Sequence, residues 1–196
     1  MKGAVEFLVP PYLILLLVIF ILPFYSVESY SILQNTSSHL GAQHAPYAWV
    51  MNTTFVLLGL GTMLSGWPYL KGYGFHKLAL LIFGFSLIGA AIYQHAPIIE
   101  GVTFDAKEDR MHSIFSSLTG ASFTVFAIGA VFILRHRTAK ISALSVGVLA
   151  ILLSVLIFTV PEFKGIWQRA LFIVAFGWLI VLFNGQEKGK RRPYSF

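Results

Sequence analysis

Long runs of apolar residues, separated by short charged clusters, dominate the chain. A transmembrane helix needs about 20 mostly apolar residues to cross roughly 30 Å of hydrocarbon. Six runs reach that length, at residues 7–26, 47–70, 77–99, 112–134, 141–160 and 166–184. They are continuous and do not alternate between apolar and polar positions, as strands of a membrane β-barrel would. The pattern predicts an all-α integral membrane protein, a single six-transmembrane-helix bundle, with a basic tail at residues 185–196.

Composition agrees with this interpretation and excludes a water-soluble monomer. The chain is 57% hydrophobic and 11% charged, with a mean hydropathy of +0.76, whereas an ordinary soluble domain is about 25% charged. So few charged side chains cannot cover a surface that faces water on all sides. There is no cysteine, so disulfides, thiolate metal sites and cysteine nucleophiles are excluded.

Basic residues predict how the bundle is oriented in the membrane. One side carries Lys2, Lys71, Lys77, Arg135, Arg137, Lys140, Lys188, Lys190, Arg191 and Arg192. The positive-inside rule places that side in the cytoplasm, so we expect an N-in/C-in protein of the plasma membrane. The net charge of +6 comes from residues that flank the spans and form no stripe with interleaved aromatics, so no nucleic-acid partner is expected. Most acidic residues and most histidines fall on the other, non-cytoplasmic side, where we expect any functional site.

The densest group of chemically active side chains opens the fourth span. Asp109 and His112 are three residues apart on one helix face, where a carboxylate and an imidazole can bind zinc or form an acid–base pair. Small side chains, which let membrane helices pack closely, continue this face toward Gly120 and Thr124. Asp105, three residues before Glu108, predicts a capping box at the helix start.

Further polar residues complete three candidate sets. Asn52 lies inside an apolar run, where its amide needs a partner, and Arg169 lies one or two turns inside the sixth span, where it either reaches the surface or binds a carboxylate or phosphate. The predicted ligand-binding residues are Ser38, Asn52, His112 and Arg169. The predicted metal ligands are His95, Asp109 and His112, with zinc as the metal, and the catalytic candidates are His112, Asp109 and Glu162.

The order of these features resembles a bacterial and archaeal membrane family, domain of unknown function 998. The motifs that carry the resemblance are Ser38-His39-Leu40-Gly41, Pro46 and Asn52 before span two, Asp105 to His112 at span four, and Gly165 with Gln168-Arg169 at span six. The family has no assigned activity to carry over. The resemblance implies only that Ser38, Asn52, Asp105, His112 and Arg169 match its polar pattern on the outer side.

A more distant likeness is to the alkaline ceramidases and adiponectin-receptor-like proteins, in which serine, aspartate and three histidines hold a zinc that hydrolyses lipid amides. The departure is large, because those proteins carry an HxxxH pair on their last span and this chain has no histidine after His136.

Three functions therefore stay open. We favour the binding or transport of an amphipathic ligand or lipid headgroup in an outward-facing polar pocket, with a membrane lipid as partner. The alternatives are a metal-dependent membrane lipid hydrolase and a structural subunit, either in a homo-oligomer or in a larger membrane complex.

Overall fold

Six α-helices make up the part of the chain that the computed structural model describes, residues 4–99 and 101–185. They are α1 (Val9–Ile21), α2 (Ala48–Tyr69), α3 (Gly74–Ile92), α4 (Ala106–Ala130), α5 (Arg137–Thr159) and α6 (Lys164–Gly185). Short 3-10 turns extend α1 at both ends and precede α6. Within the described residues there is no strand, and the predicted all-α six-helix architecture is confirmed. The predicted tail at 185–196 lies outside them except for Gly185.

All six helices, α1 and α6 together with their flanking turns, are long and apolar enough to cross a membrane. Large apolar side chains cover the outside of the bundle; Phe158 is 81% exposed and Val181 is 69% exposed. A surface of this kind is stable against hydrocarbon but not against water. The chain is therefore a multi-pass membrane protein.

The structure corrects the predicted bounds of the third and fourth spans. Helix α3 ends at Ile92, so the predicted span to residue 99 runs past it; Tyr93 has an extended backbone and Pro97 follows shortly after. Helix α4 begins at Ala106, before the predicted start at 112, because Asp105 caps it. Apolar composition alone does not mark where such a helix begins or ends.

The cap at Asp105 forms as the sequence predicts, but only in part. Its Oδ1 accepts hydrogen bonds from the backbone N–H of Lys107 and Glu108, at 2.7 and 3.2 Å. The reciprocal bond of a capping box is absent, because the Asp105 N–H donates instead to Oε1 of Gln43 at 2.8 Å. The start of α4 is thus joined to the chain segment that precedes α2.

Successive helices pack side by side, and α3 lies between α2 and α4. Glycines allow the closest approach: a Cβ on Gly59 of α2 would lie 2.7 Å from the carbonyl oxygen of Gly84 on α3. Membrane helices often pack through small residues in this way. Deeper in the bundle, the ring of Phe83 lies 5.7 Å from that of Phe123 and 5.8 Å from that of Phe176.

The segment between α1 and α2, residues 26–47, folds back onto one end of the bundle. We call it the first connection. It contains the 3-10 turn Ser37–Gly41, in which every residue is buried, and the N–H of Gly165 at the start of α6 donates to the carbonyl of Leu33 at 2.9 Å. A Cβ on Gly165 would collide with the carbonyl oxygens of Ile32 and Asn35, so only glycine lets α6 approach the connection this closely.

The two ends of the bundle differ in composition. The C-termini of α1, α3 and α5 and the N-termini of α2, α4 and α6 meet at the end that holds His39, His95 and His112, which we call the histidine end. The opposite end carries Lys71, Lys77, Arg135, Arg137 and Lys140.

Candidate functional site

Three histidines from separate parts of the chain meet at the histidine end. His39 lies in the turn Ser37–Gly41, His95 follows α3, and His112 lies in α4. The ring centroids of His39 and His95 are 4.5 Å apart, and those of His95 and His112 are 5.0 Å apart, with interplanar angles of 27° and 33°. We call this group the histidine stack. Two of its rings belong to the predicted metal set, and His39, which that set leaves out, completes the stack.

Asp109 holds the middle of the histidine stack. Its Oδ1 accepts a hydrogen bond from the N–H of Ala96 at 2.8 Å and lies 2.7 Å from Nδ1 of His95. At this distance the carboxylate is placed to attract a hydrogen on the His95 ring nitrogen. Asp109 therefore fixes both the backbone and the ring of the segment that follows α3.

His112 provides a hydrogen-bond donor for backbone carbonyls at the end of α3. Its Nδ1 lies 2.8 Å from the carbonyl oxygen of Ala90, in the last turn of that helix, and 2.9 Å from that of Tyr93, which follows it. Carbonyl oxygens only accept hydrogen bonds, so Nδ1 must carry the hydrogen. In the neutral ring, Nε2 is then an acceptor, and it lies on the far side of the imidazole from these carbonyls.

Gln168 joins the first connection to α6. Its Oε1 accepts from the N–H and from the hydroxyl of Ser37, at 2.8 and 2.6 Å, and its Nε2 donates to the hydroxyl of Ser38 at 3.4 Å. These bonds place Ser38, and with it His39, against the start of α6. The Thr36 hydroxyl lies 2.7 Å from Nδ1 of His39 and fixes that ring as well.

Arg169 is buried, with 2% of its surface exposed, and its partners belong to the protein. Its Nε donates to the carbonyl of Ile19 at 3.1 Å, and its Nη2 donates to the hydroxyl of Tyr30 at 2.6 Å. The carbonyls of Ile32, Asn35 and Gly165 accept from Nη1 at 2.9–3.0 Å. The guanidinium thus binds the end of α1, the first connection and α6 together.

Asn52 has a partner inside the bundle, as its place in an apolar run predicts. Its Nδ2 donates to the carbonyl of Gly41 at 3.1 Å and holds the turn Ser37–Gly41 against α2. Gln43, which the sequence analysis did not single out, donates to the carbonyls of Gln94 and Asp105 at 3.2 and 3.0 Å. Gln43 and Tyr30 lie in an irregular connection, so no periodicity marks them as structural.

A cavity of about 730 Å³ lies between α4, α5 and α6, nearer the histidine end than the opposite one. Its wall is polar toward the histidine end, with Thr36, Ser38, His95, His112 and Gln168. Deeper in the bundle the wall is aromatic, with Phe55, Phe83, Phe123, Phe172 and Phe176. The small-residue face of α4, which the sequence predicts to pack against another helix, lines this cavity instead, including Gly120 and Thr124.

The structure splits the predicted sets of site residues. Ser38, His95 and His112 line the cavity, whereas Asn52 and Arg169 bind carbonyl groups of the protein and do not line it. Of the catalytic candidates, Asp109 and His112 flank His95, but Glu162 lies exposed in the turn Pro161–Phe163. A catalytic role for these residues stays a prediction.

The predicted metal ligands His95, Asp109 and His112 lie close together. The centroids of the His95 and His112 rings are 5.0 Å apart and the rings are tilted by 33°. Across residues 4–99 and 101–185, no group of three or more His, Cys, Asp or Glu side chains is arranged to hold a metal ion. Zinc binding stays a prediction.

Burial keeps two rings of the histidine stack uncharged near neutral pH. The pKa of His39 is lowered from 6.5 to about 3, first by burial and then by the nearby His95, Lys164 and His112. The pKa of His95 is also lowered, by burial and by His112, although Asp109 opposes that shift. Charging either ring in this place is costly, because it would lose water and stand beside other positive groups.

These features define a six-helix, multi-pass membrane protein with a closely bonded polar end above an amphipathic cavity. A family model described as "Protein of unknown function (DUF998)" matches residues 13–184. The chain belongs to that family, and the resemblance in its motifs is confirmed. No curated protein and no solved structure matches it.

Replacing Arg169 by methionine should strongly destabilise the protein. The carbonyls of Ile19, Ile32 and Asn35 would lose a buried donor, and each unsatisfied group costs roughly 1–3 kcal/mol. We expect the apparent Tm in detergent to fall by at least about 5 °C. Arg110→Met is the matched control, because Arg110 is exposed at the same end, and it should leave the Tm nearly unchanged. Equal Tm values for the two variants would contradict this role.

Acid should destabilise the protein through His39. Its pKa is about 3 when folded and 6.5 in the reference state, so the unfolded chain takes up the proton first. The stabilisation is therefore complete above about pH 6.5 and is lost as the pH falls toward about 3, by at most about 1.4 kcal/mol per pH unit. Thermal unfolding between about pH 7 and pH 5 should show a smaller loss for His39→Gln than for the wild type.

The matched control for this measurement is His44→Gln. His44 is an exposed histidine in the same connection, so its removal should leave the pH dependence as in the wild type. Parallel curves for His39→Gln and the wild type would refute the assignment to His39.

Proposed function

We propose that this protein binds an amphipathic molecule of the membrane in the cavity between α4, α5 and α6. The observation that carries the proposal is the cavity itself, of about 730 Å³, with a polar wall near the histidine end and an aromatic wall deeper in the bundle. Ligand pockets in proteins are typically about 300–1,000 Å³ and mostly apolar, with a few polar groups that orient the ligand. The two walls match a molecule with a polar head and an apolar tail.

Exposed residues in the lining of the cavity support a lateral entrance that opens to the bilayer. Val125 on α4 and Val155 and Phe158 on α5 line the cavity and are 47%, 50% and 81% exposed. Nearer the opposite end the same helices are in contact, since a Cβ on Gly147 would lie 2.7 Å from Cγ1 of Ile128. The apolar tail of a bilayer lipid could therefore enter between α4 and α5 without leaving hydrocarbon.

The polar wall supports a fixed place for the head of the ligand. His112 is 4% exposed, and its ring is oriented by the carbonyls of Ala90 and Tyr93 at the end of α3. Gln168 and Ser38 are held by hydrogen bonds to each other. A binding site whose polar groups are already oriented loses less conformational entropy when the ligand binds.

We also propose that the histidine end faces outward from the plasma membrane. The support is the group of lysines and arginines at the opposite end, which the positive-inside rule assigns to the cytoplasm. In this orientation the cavity opens toward the outer leaflet.

Cysteine labelling tests this orientation, because the chain has no cysteine of its own. Gln34→Cys places an exposed thiol at the histidine end, and Thr138→Cys places one at the opposite end. A membrane-impermeant maleimide should label Gln34→Cys in intact cells and Thr138→Cys only after permeabilisation. The reverse pattern would overturn the orientation.

Filling the cavity tests the binding proposal. Gly120 lines the cavity, and no atom lies within 4 Å of a Cβ built there, so Gly120→Phe should occupy the space without disturbing the fold. We expect native mass spectrometry of the purified protein to show at least about tenfold less bound amphiphile, a difference of about 1.4 kcal/mol in binding.

Gly74→Phe is the matched control, because Gly74 is also helical with no atom within 4 Å of its Cβ position but lies at the opposite end. It should retain the amphiphile as the wild type does. If Gly120→Phe retains as much as Gly74→Phe, the cavity is not the binding site.

A further inference from the structure

We infer that the amphiphile is an uncharged bilayer lipid whose head carries a hydroxyl group, and that Nε2 of His112 accepts the hydrogen of that hydroxyl. The inference rests on the proposed function and names the class of its ligand. It follows from the hydrogen-bonding chemistry of the cavity wall.

The cavity wall offers a charged head no counter-charge. Among the described residues that line it there is no Asp, Glu, Lys or Arg. Arg169, which could have bound an anion, is turned away toward the carbonyls of Ile19 and Ile32. An ionised head would have to give up its water without gaining a partner of opposite charge, which is costly in an apolar site.

At its polar end the cavity wall presents one acceptor, Nε2 of His112, to which no described residue donates, alongside serine and threonine hydroxyls that can both donate and accept. Nδ1 of His112 is committed to the carbonyls of Ala90 and Tyr93, at 2.8 and 2.9 Å, so in the neutral ring Nε2 has only a lone pair to offer. The lining hydroxyls of Ser117 and Thr119 each donate to a backbone carbonyl of their own helix at 2.8 Å. Their oxygens can still accept.

The one amide donor among the described lining residues is already used in part. Nε2 of Gln168 donates to the hydroxyl of Ser38 at 3.4 Å. Nε2 of His112 therefore needs a ligand that supplies a hydrogen. A site built to hydrogen-bond a hydroxyl group discriminates strongly against an analogue without it, because its own polar atoms are then left unpaired. A neutral alcohol satisfies this requirement, whereas an ether of the same shape does not.

Three probes with the same acyl chains test this inference on the full-length protein in detergent. They are dioctanoylglycerol, its methyl ether, which has lost the donor, and its phosphate ester, which carries a charge. We expect dioctanoylglycerol to bind at least about tenfold more tightly than either of the others, measured by native mass spectrometry with equimolar competition. Gly120→Phe should remove the binding of all three.

His112→Phe keeps a ring of similar shape without the acceptor. It should abolish the preference for the alcohol over the ether while leaving the binding of the ether unchanged. Because His112 also binds carbonyls of α3, this variant could fail to fold, and the comparison of probes in the wild type then decides alone.

The outcomes separate this inference from the proposed function. If the ether or the phosphate ester binds the wild type as tightly as the alcohol does, and Gly120→Phe removes that binding, the ligand class is wrong and the binding function stands. If no probe binds the wild type better than it binds Gly120→Phe, both proposals fail.

Discussion

The structure of the histidine end depends on a buried arginine whose hydrogen-bond partners include no carboxylate. The guanidinium of Arg169 is nearly inaccessible and donates to four backbone carbonyls and one tyrosine hydroxyl. These carbonyls belong to α1, the first connection and α6, so one side chain joins three chain segments that are distant in sequence. Gly165 is needed for the same reason, since any larger residue would push α6 away from those carbonyls. The dipoles of these peptide groups stabilise the guanidinium charge. In return, the guanidinium satisfies the carbonyl oxygens, which would otherwise need water as a hydrogen-bond partner.

Other polar side chains at this end serve the backbone in the same way. His112 binds the free carbonyls at the end of α3, Asp105 binds the free N–H groups at the start of α4, and Asn52 binds the carbonyl of Gly41. Every helix ends with unsatisfied backbone groups, and these side chains supply partners for some of them. Hydrogen bonding to the backbone thus accounts for a large part of the polar cluster. The polar groups that face the cavity are the ones left to contact a ligand.

The helices could be predicted from sequence because lipid imposes a length and an apolar composition on each span. The end of α3 could not, since the residues after Ile92 are apolar enough to continue a span but are not helical in the structure. The candidate site was predicted only in part. Ser38, His95 and His112 do line the cavity, but the sequence could not show that Arg169 meets Ile19 and Ile32, because that depends on contacts between distant segments. The stacking of His39 on His95 has the same origin.

The cavity exists because no neighbouring helix packs closely against the small-residue face of α4. Small side chains at Ser113, Ser117 and Gly120 would let a neighbouring helix approach closely, and the sequence alone favours that outcome. In the structure α5 instead contacts α4 toward the opposite end, at Gly147 and Ile128, and no atom lies within 4 Å of a Cβ on Gly120. An empty cavity of this size forfeits dispersion contacts along its walls, which is the physical reason for proposing that a membrane molecule occupies it. Bilayer lipid is the nearest apolar material to this space, and under the proposed function the polar wall near His112 would select which lipid stays.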